Sequence, residues 1–159
     1  MIFLIQDTRE KISHHNNIEN YCKRIKLPIL KKKLDVGDYR LANIDEKQNI
    51  TFINNVSVDI KGGGLLELGN DLYRDMKAFN KKYKKCYEQG IELWVLIEEK
   101  INNLNELANW RNSHTKVNGR LLIDMIHRLK VSYGVRFKFA SKHESPKILI
   151  EILNKKDEE

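Results

Sequence analysis

An aspartate and a lysine stand two residues apart in VSVDIKGGG, residues 56–64. On a strand, Asp59 and Lys61 project from one face with Ser57, while Val56, Val58 and Ile60 project from the other. A carboxylate at a strand end can hold Mg²⁺ through oxygen. An ammonium beside it can position a water or stabilise charge on a phosphate. Metal-assisted phosphodiester hydrolysis needs both parts. The same two letters also suit an ion pair on a solvated sheet face, and D-x-K alone favours that plainer reading.

A second acid changes the balance. Asp38 follows Gly37 in LDVGDYRL, between two strand-like runs. A glycine there permits a bend that re-aims the next side chain. Two carboxylates converging from neighbouring strands would make a cation site, whereas a Gly-Asp hairpin turn would leave Asp38 idle. QDTRE, residues 6–10, comes just beyond the first apolar run. Strand carboxyl ends are where ligands bind in open α/β sheets, so Asp7, Arg9 and Glu10 offer further metal or water ligands and a guanidinium suited to phosphate. As a plainer alternative, they cap the following segment.

The glycines after Lys61 lack the Gly-Lys-Ser/Thr ending of a nucleotide-binding loop. Gly62 and Gly63 instead allow a nucleic-acid backbone to come close, or form a flexible turn. Glu67, Arg74 and Lys81 share a helical face that looks toward a bound strand or simply toward solvent. The five histidines show no metal-ligand spacing.

These residues need elements to hold them. Ile2–Ile5 predicts a buried first strand, and Ile18, Tyr21, Cys22 and Ile25 mark a helix face closed by Pro28. Strand-like pieces follow in ILKKKLDV, DYRLAN, TFI and VSVDI, with IDEKQN as a turn. Leu65, Leu68, Leu72, Met76, Phe79, Tyr83 and Cys86 recur at steps of three or four, predicting one helix over 65–89 capped by Gly90. IELWVLIEE reads as a central strand. NLNELANW predicts a helical turn, Leu121–Leu129 a helix ending near Gly134, and VRFKFA a strand. Ser145-Pro146 predicts an N-cap and first turn of a last helix. The expectation is one α/β domain over 1–154, with a charged tail over 155–159.

Composition sets limits. At 159 residues and 41% hydrophobic, the chain is long enough for a real core. A net charge of +7 favours a polyanionic partner, nucleic acid first. Cys22 and Cys86 have no second pair near them, which disfavours a disulfide or zinc framework. No apolar run reaches membrane-spanning length, and the opening MIFLIQDTRE reads as a strand, not a leader.

Taken in order, IQDTRE, LDVGDY, VSVDIK and LLELGNDLYRDMKAF resemble the nuclease domain of the XPF family, within the PD-(D/E)xK nuclease superfamily. GIELWVLIEE, NGRLLIDMI and YGVRFKFASK look like its compact stand-alone versions in bacteria, phages and mobile elements. The resemblance spans nearly the whole chain. It implies a restriction-endonuclease-like mixed sheet flanked by helices, and Mg²⁺- or Mn²⁺-dependent DNA cleavage, often at branched or flap structures. By position, Asp38 and Asp59 hold the metal with the carbonyl of Ile60, and Lys61 orients the water or stabilises the transition state. Asp7, Arg9 and Glu10 complete the site. The implied setting is the cytoplasm of a bacterial cell or phage-infected host, with no membrane and with room for a homodimer.

The chain departs from the family pattern where E-R-K is replaced by Asp59-Ile60-Lys61. The acid that usually follows four residues after the lysine is Leu65 here, leaving Glu67 or Asp71 as candidates. No helix-hairpin-helix region follows, so substrate choice is expected to be loose or partner-dependent. The competing expectations are a silent DNA-binding module of the same fold and a subunit that needs a partner chain.

Overall fold

The computed structural model describes residues 1–9, 16–74 and 76–155. Its strands are β1 (Ile2–Gln6), β2 (Ile29–Lys31), β3 (Tyr39–Ile44), β4 (Ile50–Phe52), β5 (Val56–Lys61), β6 (Glu92–Glu98) and β7 (Arg136–Ala140). Its helices are α1 (Asn16–Arg24), α2 (Gly64–Arg74), α3 (Met76–Glu88), α4 (Leu104–Ala108), α5 (Gly119–Tyr133) and α6 (Ser145–Leu153). The strands form one mixed sheet in the order β2-β1-β3-β5-β6-β7, with β4 on β3. Pairs β1–β2, β5–β6 and β6–β7 are parallel, whereas β3 runs antiparallel to β1, β4 and β5. The expected mixed central sheet flanked by helices is the fold observed.

Alternation along β5 decides the layering. Val56, Val58 and Ile60 face α1 and α6 in a core with Leu4, Tyr39, Leu41 and Leu96. Leu93, Val95 and Ile97 of β6 face the other way, against Leu65, Leu68 and Leu72 of α2 and Tyr83 and Cys86 of α3. Ser57, Asp59 and Lys61 share that second face. Both sides of the central strands are covered, so all six β5 residues are buried. A buried leucine of this kind contributes about 1.5–3 kcal/mol over an exposed one.

The helix expected over 65–89 is observed on both sides of residue 75, which lies outside the described residues, as α2 and α3. Other expectations shift. Met76, at the expected stripe's centre, is exposed. ILKKKLDV keeps only Ile29–Lys31 as a strand, because the Leu34 amide turns to Asp7 Oδ2 (3.1 Å) and Gly37 takes a positive φ of 78°. Ser145 is the first residue of α6 rather than its cap. Glu144 holds the cap position because Ser141 already serves both amides: its carbonyl accepts from Ser145 N–H and its hydroxyl from Glu144 N–H. Pro146 lies in the first turn, as expected.

Candidate active site

Gly37 sets the position of Asp38. A Cβ at Gly37 would lie 1.9 Å from Ser57 Oγ, and its positive φ is one that L side chains avoid. Ser57 Oγ in turn donates to the Val36 carbonyl at 2.8 Å, pinning the bend to β5. Asp38 then joins three strands. Its carbonyl accepts from Asp7 N–H beyond β1, and its own N–H donates to the Val58 carbonyl on β5, each at 2.8 Å. Its carboxylate accepts from Ile60 N–H, also at 2.8 Å. The expected bend exists, and it delivers an acid to the strand that carries Asp59.

Asp59 is 1% exposed. A buried carboxylate costs several kcal/mol unless it is paired. Lys82 of α3 supplies that pairing, its Nζ donating to Asp59 Oδ2. Asp59 Oδ1 is buried with no hydrogen-bond partner among the described residues. Burial opposes the charge on Lys82, but Asp59 and then Asp38 outweigh it and hold the ammonium's pKa above the usual lysine value. Tyr83, next along α3, is fully buried with its hydroxyl unpartnered among the described residues. Its pKa is pushed well up by burial first, then by the charges of Asp59 and Asp71.

Lys61 is held separately. Its Nζ donates to Asp71 Oδ2 of α2 at 3.0 Å and lies 5.1 Å from the centre of the Phe79 ring. Asp59 and Lys61 therefore share a face yet pair with different partners. Of the two acids considered for the Leu65 position, Asp71 reaches the lysine, while Glu67 Oε2 accepts from Gly63 N–H at 2.8 Å. Leu65 itself is fully buried in the core.

Beyond β1, Asp7 spends both oxygens locally. Oδ1 accepts from Arg9 N–H (2.8 Å) and Nε (3.0 Å); Oδ2 accepts from Arg9 Nη2 (2.8 Å) and Leu34 N–H. Arg9 also donates to the Leu34 carbonyl at 2.8 Å. Burial raises the Asp7 pKa, but these hydrogen bonds outweigh it and leave the carboxyl below its usual value. In this arrangement Asp7 braces Arg9 and the 32–38 loop. Glu10 lies outside the described residues.

Gly64 has an internal role. Gly64 has φ 68°, and a Cβ there would lie 2.2 Å from Glu99 Oε2. That oxygen accepts from Leu65 N–H at 2.7 Å, at the start of α2, while Oε1 accepts from Trp110 Nε1 at 3.2 Å. Gly62 is buried and Gly63 exposed beside the same turn.

A groove of about 500 Å³ runs between the 35–38 bend and α3, with Asp7, Arg9, Asp38, Lys81, Lys82 and Lys85 on its walls. Four cations thus face an opening that leads to Asp38. Lys81 is among them, as expected; Arg74 is exposed at the end of α2 and does not line the groove. Lys82 and Lys85 were not singled out from sequence. Lys82 directly precedes Tyr83 of the apolar stripe, and a lysine at such a border can turn its head inward to a buried acid while its stem covers apolar surface.

Mg²⁺ usually binds through one or two carboxylates and keeps several waters. Asp59, whose Oδ1 has no hydrogen-bond partner among the described residues, and Asp38 supply two such carboxylates. No cluster of three or more His, Cys, Asp or Glu suited to a metal occurs among the described residues. The donor set fits a hydrated hard cation and not a fully caged one.

No protein-family model and no curated protein sequence matches the chain. Solved structures do. The chain is similar to XPF from Aeropyrum pernix at a TM-score of 0.64 and 14% identity, over 94% of this chain and 62% of that one. It is also similar to XPF from Aeropyrum pernix in complex with DNA, at a TM-score of 0.61 and 16% identity, over 96% of this chain and 63% of that one. The chain thus spans less than two thirds of either protein. What it shares with them, at these identities, is the fold.

Proposed function

We propose that this chain is a divalent-metal-dependent DNA endonuclease that hydrolyses phosphodiester bonds, acting at branched or flap structures. One observation carries the reading. The Asp38 carboxylate accepts from Ile60 N–H, one residue beyond Asp59, and Asp59 keeps a buried oxygen without a hydrogen-bond partner among the described residues, behind a groove where Arg9, Lys81, Lys82 and Lys85 stand with Asp7, Asp35 and Asp38. Likeness in fold to an XPF solved with DNA supports it.

Asp59 and Asp38 would hold Mg²⁺ or Mn²⁺, with the Ile60 carbonyl as the third donor carried over from the resemblance. When bound, such an ion polarises a phosphoryl oxygen and acidifies a bound water. The protein's own residues do the rest. Arg9, Lys81 and Lys85 face backbone phosphates along the groove and release their counterions. Lys61, aimed by Asp71 and Phe79, stabilises charge that develops on the phosphorus oxygens. Asp7 fixes the direction of the Arg9 guanidinium through their paired hydrogen bonds.

A second reading has one observation in its favour. Lys82 already neutralises Asp59, as in a silent DNA-binding module of the same fold. Cleavage of labelled DNA with and without metal separates the two readings.

A further inference from the structure

We infer that Lys82 is a tethered cation that the divalent ion must displace from Asp59, and that the displaced ammonium turns into the groove to meet a DNA phosphate. The inference rests on the metal reading of the same site. Asp59 is almost wholly buried, so its surroundings are fixed, and Lys82 is the cation seated on Oδ2. An ammonium on Oδ2 and a divalent ion on the open Oδ1 of one buried carboxylate would lie only a few ångströms apart. Like charges so close repel strongly in a site of low dielectric.

The two lysines of the site differ in how firmly they are held. The Lys61 side chain is 11% exposed, fixed by Asp71 and lying over Phe79. The Lys82 side chain is 35% exposed and lines the groove, so it reaches Asp59 from the surface. Rotation about its own stem returns the ammonium to water and to the groove that Arg9, Lys81 and Lys85 share. Without metal, Lys82 spares the fold an uncompensated buried charge. With metal, that charge is compensated otherwise and the lysine is released. Asp59 is then competent for metal only in molecules whose Lys82 has let go, and apparent affinity falls by that fraction.

The test is Mn²⁺ binding to the full chain, read by electron paramagnetic resonance of free Mn²⁺, for wild type, Lys82→Met and Asp59→Asn. Methionine keeps an unbranched apolar stem without the charge. The expected result is binding at least about tenfold tighter in Lys82→Met, corresponding to release in about one wild-type molecule in ten or fewer, and loss of binding in Asp59→Asn. Equal or weaker binding in Lys82→Met, with wild type still binding, overturns the Lys82 inference and leaves the metal reading standing. No binding by any form, or full binding by Asp59→Asn, overturns the metal reading and the inference with it. A second measurement needs no variant: amine-reactive labelling of wild-type Lys82, read by mass spectrometry, rises several-fold on adding Mn²⁺ while Lys61 stays protected. Unchanged Lys82 labelling under saturating Mn²⁺ overturns the inference as well.

Discussion

The Asp38 carboxylate accepts the Ile60 amide hydrogen at 2.8 Å, across the junction where β3 meets β5. Tyr39–Val58 is the register pair found between these strands, so a side chain replaces part of the ladder. The acid is thereby fixed relative to Asp59, one residue before Ile60, and cannot shift without loosening the centre of the sheet. Substituting Asp38 separates charge from geometry. Asn keeps an acceptor for Ile60 N–H and should retain near wild-type stability while losing metal binding. Ala removes the acceptor and should cost about 1–3 kcal/mol. Urea unfolding of both variants checks this; equal stability of Ala and wild type would remove the structural role.

Lys61 is the cation held firmly at the site. Lys61→Ala should lower cleavage by about 10²-fold or more if the ammonium acts on the transition state. Asp71→Asn, which only loosens its aim, should lower it less. Single-turnover rates under saturating DNA measure both. A wild-type rate in Lys61→Ala would move the cationic role to another residue of the groove.

Acid should weaken the fold in part through Asp7. Its pKa is lowered in the folded state because the bonds from Arg9 and Leu34 outweigh burial. The stabilisation is therefore complete above the unfolded value of about 3.9 and disappears as pH falls through the lower folded value. Asp7→Asn should flatten the stability-versus-pH curve between about pH 5 and pH 2, as read by urea unfolding at stepped pH. Parallel curves for the two proteins would show that Asp7 is not the linked group.

Gly64→Ala tests the glycine turn. The positive φ and the contact with Glu99 predict a loss of roughly 1–3 kcal/mol, or about 2–4 °C in Tm per kcal/mol for a chain of this length. Thermal unfolding gives the answer directly. A neutral substitution would mean that the turn relaxes freely.

Much of this was legible in the residues, and the exceptions have physical causes. Alternation in VSVDIK identified β5 and the shared face of Asp59 and Lys61, because side-chain period follows from backbone geometry alone. Gly37 announced the bend because few other residues fit there. The partners of those charges were less visible. Asp59 meets Lys82 from a helix 23 residues later, and Lys61 meets Asp71, pairings that depend on how α2 and α3 lie over the sheet. Likewise, Leu34 broke the expected long strand because a distant carboxylate, Asp7, captured its amide. Asp7 read as a metal ligand from its place beyond β1; only the three-dimensional arrangement reveals that Arg9 and Leu34 occupy its oxygens.

Cleavage of labelled DNA tests the central claim most directly. Single strands, duplex, flap, fork and four-way junction would each be incubated with Mg²⁺, Mn²⁺ or EDTA, using wild type beside Asp59→Asn. The expected result is cutting by wild type with either metal, strongest on flap or branched DNA, none with EDTA and none by Asp59→Asn. Binding without cutting by wild type under every metal, or cutting by Asp59→Asn at the wild-type rate, would contradict it.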